Sequence, residues 1–177
     1  MQKLKIAILS YRSAPFGGGQ GIYIHDISKA LSLMGHQVDV ISGPPYPYLS
    51  EKINLIKLPG LDLFQTFSFK ERLRIFIKKK NKRAIDFYEF FSTFFGGFPE
   101  MRTFGERAKK FLDINNQFDI VIDNQSISYG LLEIQKKFPL LEIIHHPITK
   151  DYKFELQSNR SLMYRLSRHR WYSFLKM

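Results

Sequence analysis

The sequence predicts an α/β fold in which a parallel β-sheet is covered by helices on both faces. Three observations carry the prediction. Short apolar runs with strand character are separated by segments of helical periodicity. A glycine-rich stretch stands between the first apolar run and the first helical one, and polar residues cluster where later runs end.

The first strand is Leu4 to Ser10. After it, Gly17-Gly18-Gly19-Gln20-Gly21 places four glycines in five positions, poor material for a helix interior, where each costs about 1 kcal/mol relative to alanine. They are expected to form a loop whose backbone a ligand approaches closely, at the positive end of the helix that follows. A flexible turn without a ligand is the alternative. That helix is expected over about Tyr23 to Met34, with Ile24, Ile27, Leu31 and Met34 at helical spacing and Gly35 at its C-terminal cap. Gln37 to Ser42 is the second strand, closed by Gly43-Pro44-Pro45, and Ile53 to Leu58 is the third, ended by Pro59-Gly60. Phe118 to Asp123 is the fourth; a short helix through Leu131, Leu132 and Ile134 leads to the fifth, Leu140 to Ile144, which runs into His145-His146-Pro147. Ligands of such sheets lie beyond the carboxyl ends of the strands. The glycine stretch, Asp123-Asn124-Gln125 and His145-His146 all fall at such ends and are expected to converge.

At 177 residues and 44% hydrophobic content the chain has material for one ordinary core. It contains no cysteine, which excludes a disulfide framework, thiolate chemistry and thiolate metal sites. Lys3 and Lys5 lead directly into the first strand, so no secretory leader is expected, and no uncharged apolar stretch reaches membrane-spanning length. The net charge of +11 draws the chain to polyanions: nucleic acid, an anionic membrane surface or phosphorylated substrates.

The charge is concentrated. From Lys70 to Arg83 eight cations face one acid, Glu71, and no acid follows Glu155 near the basic end of the chain. Residues 61–105 interleave this basic run with eleven phenylalanines. Phe69, Leu73, Phe76 and Ile77 recur at helical spacing, with Arg72, Arg74, Lys78 and Lys79 mostly elsewhere on the wheel. The segment is expected to be a helical insertion. It either lays its aromatic face on an anionic membrane through residues 64–98 or packs those rings on the sheet, which periodicity does not distinguish.

The order of first strand, Gly17 to Gly21, helix, and Leu33-Met34-Gly35-His36-Gln37-Val38-Asp39-Val40-Ile41-Ser42 strongly resembles the N-terminal domain of family 4 glycosyltransferases of the GT-B fold. Glu142-Ile143-Ile144-His145-His146-Pro147 looks like the family's strand ending in an active-site histidine, so the resemblance covers about Lys3 to Pro147. It implies a Rossmann-like domain, one half of a GT-B fold, with the aromatic and basic insertion at 61–105. It also implies retaining transfer of a sugar from a nucleotide-sugar donor to a polar or lipid-linked acceptor, with no bound metal and no cofactor besides the nucleotide-sugar co-substrate. By that likeness Gly17, Gly18, Gly19, Gln20 and Gly21 face the donor diphosphate and the acceptor. His145, the candidate catalytic residue, touches the donor sugar or the acceptor near the reacting centre, with His146 a further substrate contact. A histidine at a strand end can donate a hydrogen bond or carry a proton near neutral pH; closing the strand before Pro147 is the bland alternative. Asp123 and Asn124 are candidate contacts to acceptor hydroxyls, with surface solvation as the alternative.

The family's donor half carries paired glutamates eight positions apart, and no glutamate here has another eight residues on. Residues 1–158 are therefore expected to be the acceptor-side domain and 159–177 the start of a further helix, the chain truncated and the donor domain absent or supplied by a separate chain. Cytoplasmic placement, with peripheral contact to the inner face of a membrane, is expected. Two other classes stay open. A basic nucleic-acid- or membrane-binding module without catalysis would explain the charge, but no zinc, helix-turn-helix or RNP-like pattern occurs, and nucleic acid is not expected as a partner. A nicotinamide-dependent oxidoreductase would need a third fingerprint glycine where Ile22 stands and an acid at the end of the second strand, which instead ends in Ser42-Gly43.

Overall fold

Five apolar runs form one parallel sheet in the computed structural model, which describes residues 2–15, 19–63, 66, 68–95 and 99–173. The strands are β1 (Lys5–Ser10), β2 (Gln37–Ser42), β3 (Asn54–Lys57), β4 (Ile120–Asn124) and β5 (Leu140–Ile143), in the spatial order β3-β2-β1-β4-β5. Every neighbouring pair is parallel; β1 lies in register with β2 from Lys5 opposite Gln37 to Ser10 opposite Ser42, and with β4 from Ile6 opposite Ile120 to Leu9 opposite Asp123. The chain leaves β1 toward one edge and returns on its other side with β4. The order therefore reverses between β1 and β4, which opens a crevice at their carboxyl ends.

Successive side chains of a strand point to opposite faces, and both faces here are apolar. Ile6 and Ile8 of β1, Val38 and Val40 of β2 and Ile122 of β4 pack with Ile24 of α1 (Gly19–Leu33). Ala7, Leu9, Ile41 and Val121 point the other way, onto Met101, Phe104, Ala108 and Leu112 of α4 (Pro99–Ile114) and Leu131 and Ile134 of α5 (Tyr129–Ile134). Burying each of the larger side chains contributes roughly 1.5–3 kcal/mol. The expected Rossmann-like sheet with helices on both faces is what forms.

Local signals act as the sequence suggests at the end of α1. Gly35 takes φ +92°, its N–H bonds Ser32 O at 3.0 Å, and the His36 N–H bonds Leu31 O at 3.2 Å, so the last carbonyls of the helix are capped from within. The start of α1 differs from expectation. Gly19, Gln20 and Gly21 are not loop but the first turn of the helix, and Gly17 and Gly18 lie outside the described residues. A Cβ on Gly21 would sit 2.2 Å from the carbonyl oxygen of Ala14, so only glycine lets the chain leaving β1 pass against this turn.

Between β3 and β4 stand α2 (Phe69–Lys78), α3 (Ala84–Phe95) and α4, which runs through Gly105 to Ile114. Phe104 belongs to the main core, and Phe90 joins Leu61 and Leu63 in a small core closed by Leu73, Ile75 and Phe76. Phe69, Phe87, Phe91, Phe94 and Phe95 remain exposed, and α2 buries no residue fully. Phe64, Phe67 and Phe98 lie outside the described residues.

Beneath this layer is a buried charge network. Arg107 of α4 reaches Asp86 Oδ1 at 3.0 Å and Glu89 Oε2 at 2.5 Å on α3, and Lys79 holds Asp86 Oδ1 at 2.7 Å. Glu89 also accepts the Leu61 N–H and the Thr103 hydroxyl. Burial pushes the Asp86 carboxyl up, but Lys79, the Arg83 N–H and Arg107 outweigh it and hold the group below the usual range. After β5 the chain continues as α6 (Ile148–Ser158) and α7 (Leu162–Trp171). Among the described residues no helix is long and apolar enough to cross a membrane.

Candidate active site

Strand β1 ends in Ser10 and β4 in Asn124, and these two residues meet across the crevice: Asn124 Nδ2 donates to Ser10 Oγ at 3.4 Å, and Ser10 Oγ lies 2.5 Å from Ser13 Oγ. That contact orients the Asn124 amide, so its Oδ1 faces the next strand exit, where it lies 2.6 Å from His145 Nε2. An amide oxygen only accepts, so His145 carries its proton on Nε2 and presents the Nδ1 lone pair. Desolvation, and secondarily the charge of His146, hold the His145 pKa below its ordinary value, which keeps the ring neutral near pH 7. Tyr23 of α1 meets the ring edge-on, with centroids 4.9 Å apart. His145 is thus held from β4 and α1 together.

The backbone beneath the histidines is clamped by a side chain that the sequence reading placed in the cluster without assigning it a role. Gln125, 1% exposed and at φ +53°, accepts the His145 N–H at 3.0 Å through Oε1 and donates to His146 O at 3.1 Å through Nε2. Nothing in the local sequence signals this. The pairing exists only because β4 and β5 are neighbours.

The other expected residues separate. Asp123 is fully buried, and its carboxylate accepts the Ser126 N–H at 2.6 Å and the Ser126 hydroxyl at 2.5 Å. It shapes the turn after β4, while Asn124 provides the contact to His145. Glu142 stands opposite Asp123 in the register of β4 and β5. Burial raises both carboxyl groups, and the Asp123 charge raises Glu142 further, so the pair holds a proton at neutral pH. His146 turns to α6, where its Nδ1 lies 2.8 Å from Asp151 Oδ2 in an exposed pair.

At the start of α1 a Cβ on Gly19 would meet open space, whereas Gln20 turns to the Tyr11 hydroxyl. Pro15, Gly21, Ile22, His25 and Tyr48 line a cavity of about 200 Å³ beside this turn, with His25 Nδ1 3.0 Å from Tyr48 O. Further under the same strand ends, the half-buried Glu100 lies near Tyr11 and Asp62, and desolvation pushes its carboxyl up to about 7. The sequence singled out neither Glu100 nor Asp62.

A five-stranded parallel sheet covered on both faces, whose order reverses where a helix start, an asparagine and a histidine come together, defines a Rossmann-like α/β domain, consistent with one half of a GT-B fold. The chain belongs to Glycosyltransferase Family 4, whose sequence pattern matches residues 17–176. It is 42% identical, over 98% of its length, to a protein of Mycolicibacterium hassiacum described as an MMP alpha-(1->4)-mannosyltransferase. The chain spans 42% of the length of that relative.

Proposed function

We propose that this chain is the acceptor-side half of a retaining glycosyltransferase that moves a sugar, mannose by likeness to its relative, from a nucleotide-sugar donor to a polar or lipid-linked acceptor. The observation that carries the reading is His145: a neutral imidazole, oriented by Asn124 and Tyr23, whose Nδ1 has no hydrogen-bond partner among the described residues and can accept a hydrogen bond from a sugar hydroxyl. Gly19, Gln20 and Gly21, the first turn of α1, face the donor diphosphate, where backbone N–H groups and the helix dipole offset the charge that develops on the leaving group. Asn124 and Gln125 act by positioning, and His146 is a peripheral substrate contact. Residues 1–158 form the domain and a separate chain or segment supplies the donor half. The exposed phenylalanines of α2 and α3, beside Lys70, Arg74 and Lys78, support contact with an anionic membrane surface, on the cytoplasmic side where such donors are found.

The test is transfer of labelled mannose from GDP- and UDP-mannose to an α-mannoside, with this chain alone and combined with a chain carrying the donor half. Turnover in the mixture that falls about a hundredfold or more in His145→Ala, with the melting temperature unchanged, supports the proposal. Silence in the mixture, or full activity in His145→Ala, overturns it.

A further inference from the structure

A cavity of about 680 Å³ opens between the α2–α3 connection, the segment after β3 and the second half of α4, and it shares no lining residue with the histidine site. Its polar wall is one-sided: Lys79, Lys80, Arg83, Arg107 and Lys110 line it and no carboxylate does. Two of these cations are already engaged, Lys79 with Asp86 and Arg107 with Asp86 and Glu89. Lys80, Arg83 and Lys110 have no acidic partner among the described residues.

Three cations held together without a counter-charge repel one another, and the cheapest relief is a bound anion. All three side chains are exposed, but the backbone that carries two of them is fixed. The Arg83 N–H is fixed on Asp86 Oδ2 at 2.8 Å, and Asp86 is tied through Arg107 to α4, so the connection carrying Lys80 and Arg83 is anchored in the buried network. Apart from Asn81 the rest of the lining is apolar, with Leu58, Ile85, Phe111 and Ile114 contributing hydrocarbon beside the charges. A cavity lined by both cations and hydrocarbon fits a ligand that carries an anionic and an apolar group together. We propose that this cavity binds a phosphate ester that carries an apolar group, the phosphate on Lys80, Arg83 and Lys110 and the apolar group against Phe111 and Ile114. The proposal is independent of the function assigned to the histidine site.

Calorimetric titration of the full chain with hexyl phosphate and inorganic phosphate at low salt tests it, beside sedimentation with phosphatidylglycerol vesicles. Each methylene fully buried multiplies affinity by about fourfold, so even partial burial makes hexyl phosphate bind about tenfold or more tighter than inorganic phosphate. The exposed triple variant Lys80→Glu/Arg83→Glu/Lys110→Glu, checked for an unchanged melt, is expected to lose about tenfold or more in affinity. Lys3→Glu/Lys29→Glu/Lys52→Glu alters net charge equally at exposed positions outside the cavity and is expected to stay within about twofold. Equal losses in the two triple variants, or equal affinity for the two phosphates, would overturn the proposal. Vesicle sedimentation that the cavity variant abolishes assigns the phosphate to a lipid headgroup; hexyl phosphate binding without vesicle sedimentation assigns it to a free phosphate ester.

Discussion

Replacing Arg107 with methionine probes the buried network directly. The guanidinium is 6% exposed and serves Asp86 and Glu89, which are themselves almost fully buried. Without it, Asp86 keeps Lys79 and the Arg83 N–H, but among the described residues Glu89 keeps only the Leu61 N–H and the Thr103 hydroxyl and has no cation. Breaking a buried pair from one side leaves an uncompensated charge and costs about 3–5 kcal/mol, a large share of the roughly 5–15 kcal/mol that holds a domain folded. With a urea slope of about 2 kcal/mol per molar, the midpoint should fall by about 1.5–2.5 M. Adding Glu89→Gln neutralises the stranded charge and keeps an acceptor for Leu61, so the double variant should recover about 1 kcal/mol or more. Urea unfolding followed by far-ultraviolet circular dichroism reads both. A cost below about 1 kcal/mol for Arg107→Met, or no recovery on adding Glu89→Gln, would refute the view that paired charge holds α3 to α4.

Three further outcomes are expected. The Asp123–Glu142 pair titrates above its unfolded values, so stability present below about pH 4 should be lost as pH rises toward about 9; thermal melts of Glu142→Gln across that window should be flatter than those of the parent. In the first turn of α1, Gly21→Ala forces a Cβ against Ala14 backbone and should cost about 1–3 kcal/mol, whereas Gly19→Ala, with nothing within 4 Å, should gain up to about 1 kcal/mol of helix propensity; opposite signs in the same unfolding assay are the check. Gln125→Ala removes both bonds to the histidine backbone, so hydrogen exchange should accelerate at the His145 amide and stability should fall by about 1–3 kcal/mol. Unchanged exchange there would show that the backbone is held without Gln125.

Much of this protein was legible from local chemistry. The five strands, the helix ended by Gly35 and the convergence of strand ends follow from signals a few residues long: an apolar run, a glycine at positive φ, a proline stop. Such signals act through the backbone of their own segment and do not depend on what packs nearby. The resemblance to family 4 glycosyltransferases rested on the same short segments in order, and the family match bears it out.

Only the tertiary structure decided which neighbours those segments acquire. Gly19 to Gly21 form the first turn of α1, and the chain at Ala14 crosses Gly21 so closely that no side chain fits there. Asp123 and Asn124 are both fully buried, yet Asp123 bonds Ser126 while Asn124, one position on, reaches His145, since adjacent strand residues point to opposite faces and the sheet order determines what each face meets. Gln125 found the histidine backbone, and Arg107 found Asp86 and Glu89, across 20 or so residues of chain whose path no local periodicity encodes. The sequence by itself determined the elements and the residue types brought to the strand ends. Their partners, and so their protonation and roles, came from contacts between elements, because burial and pairing are properties of the assembled sheet and helices.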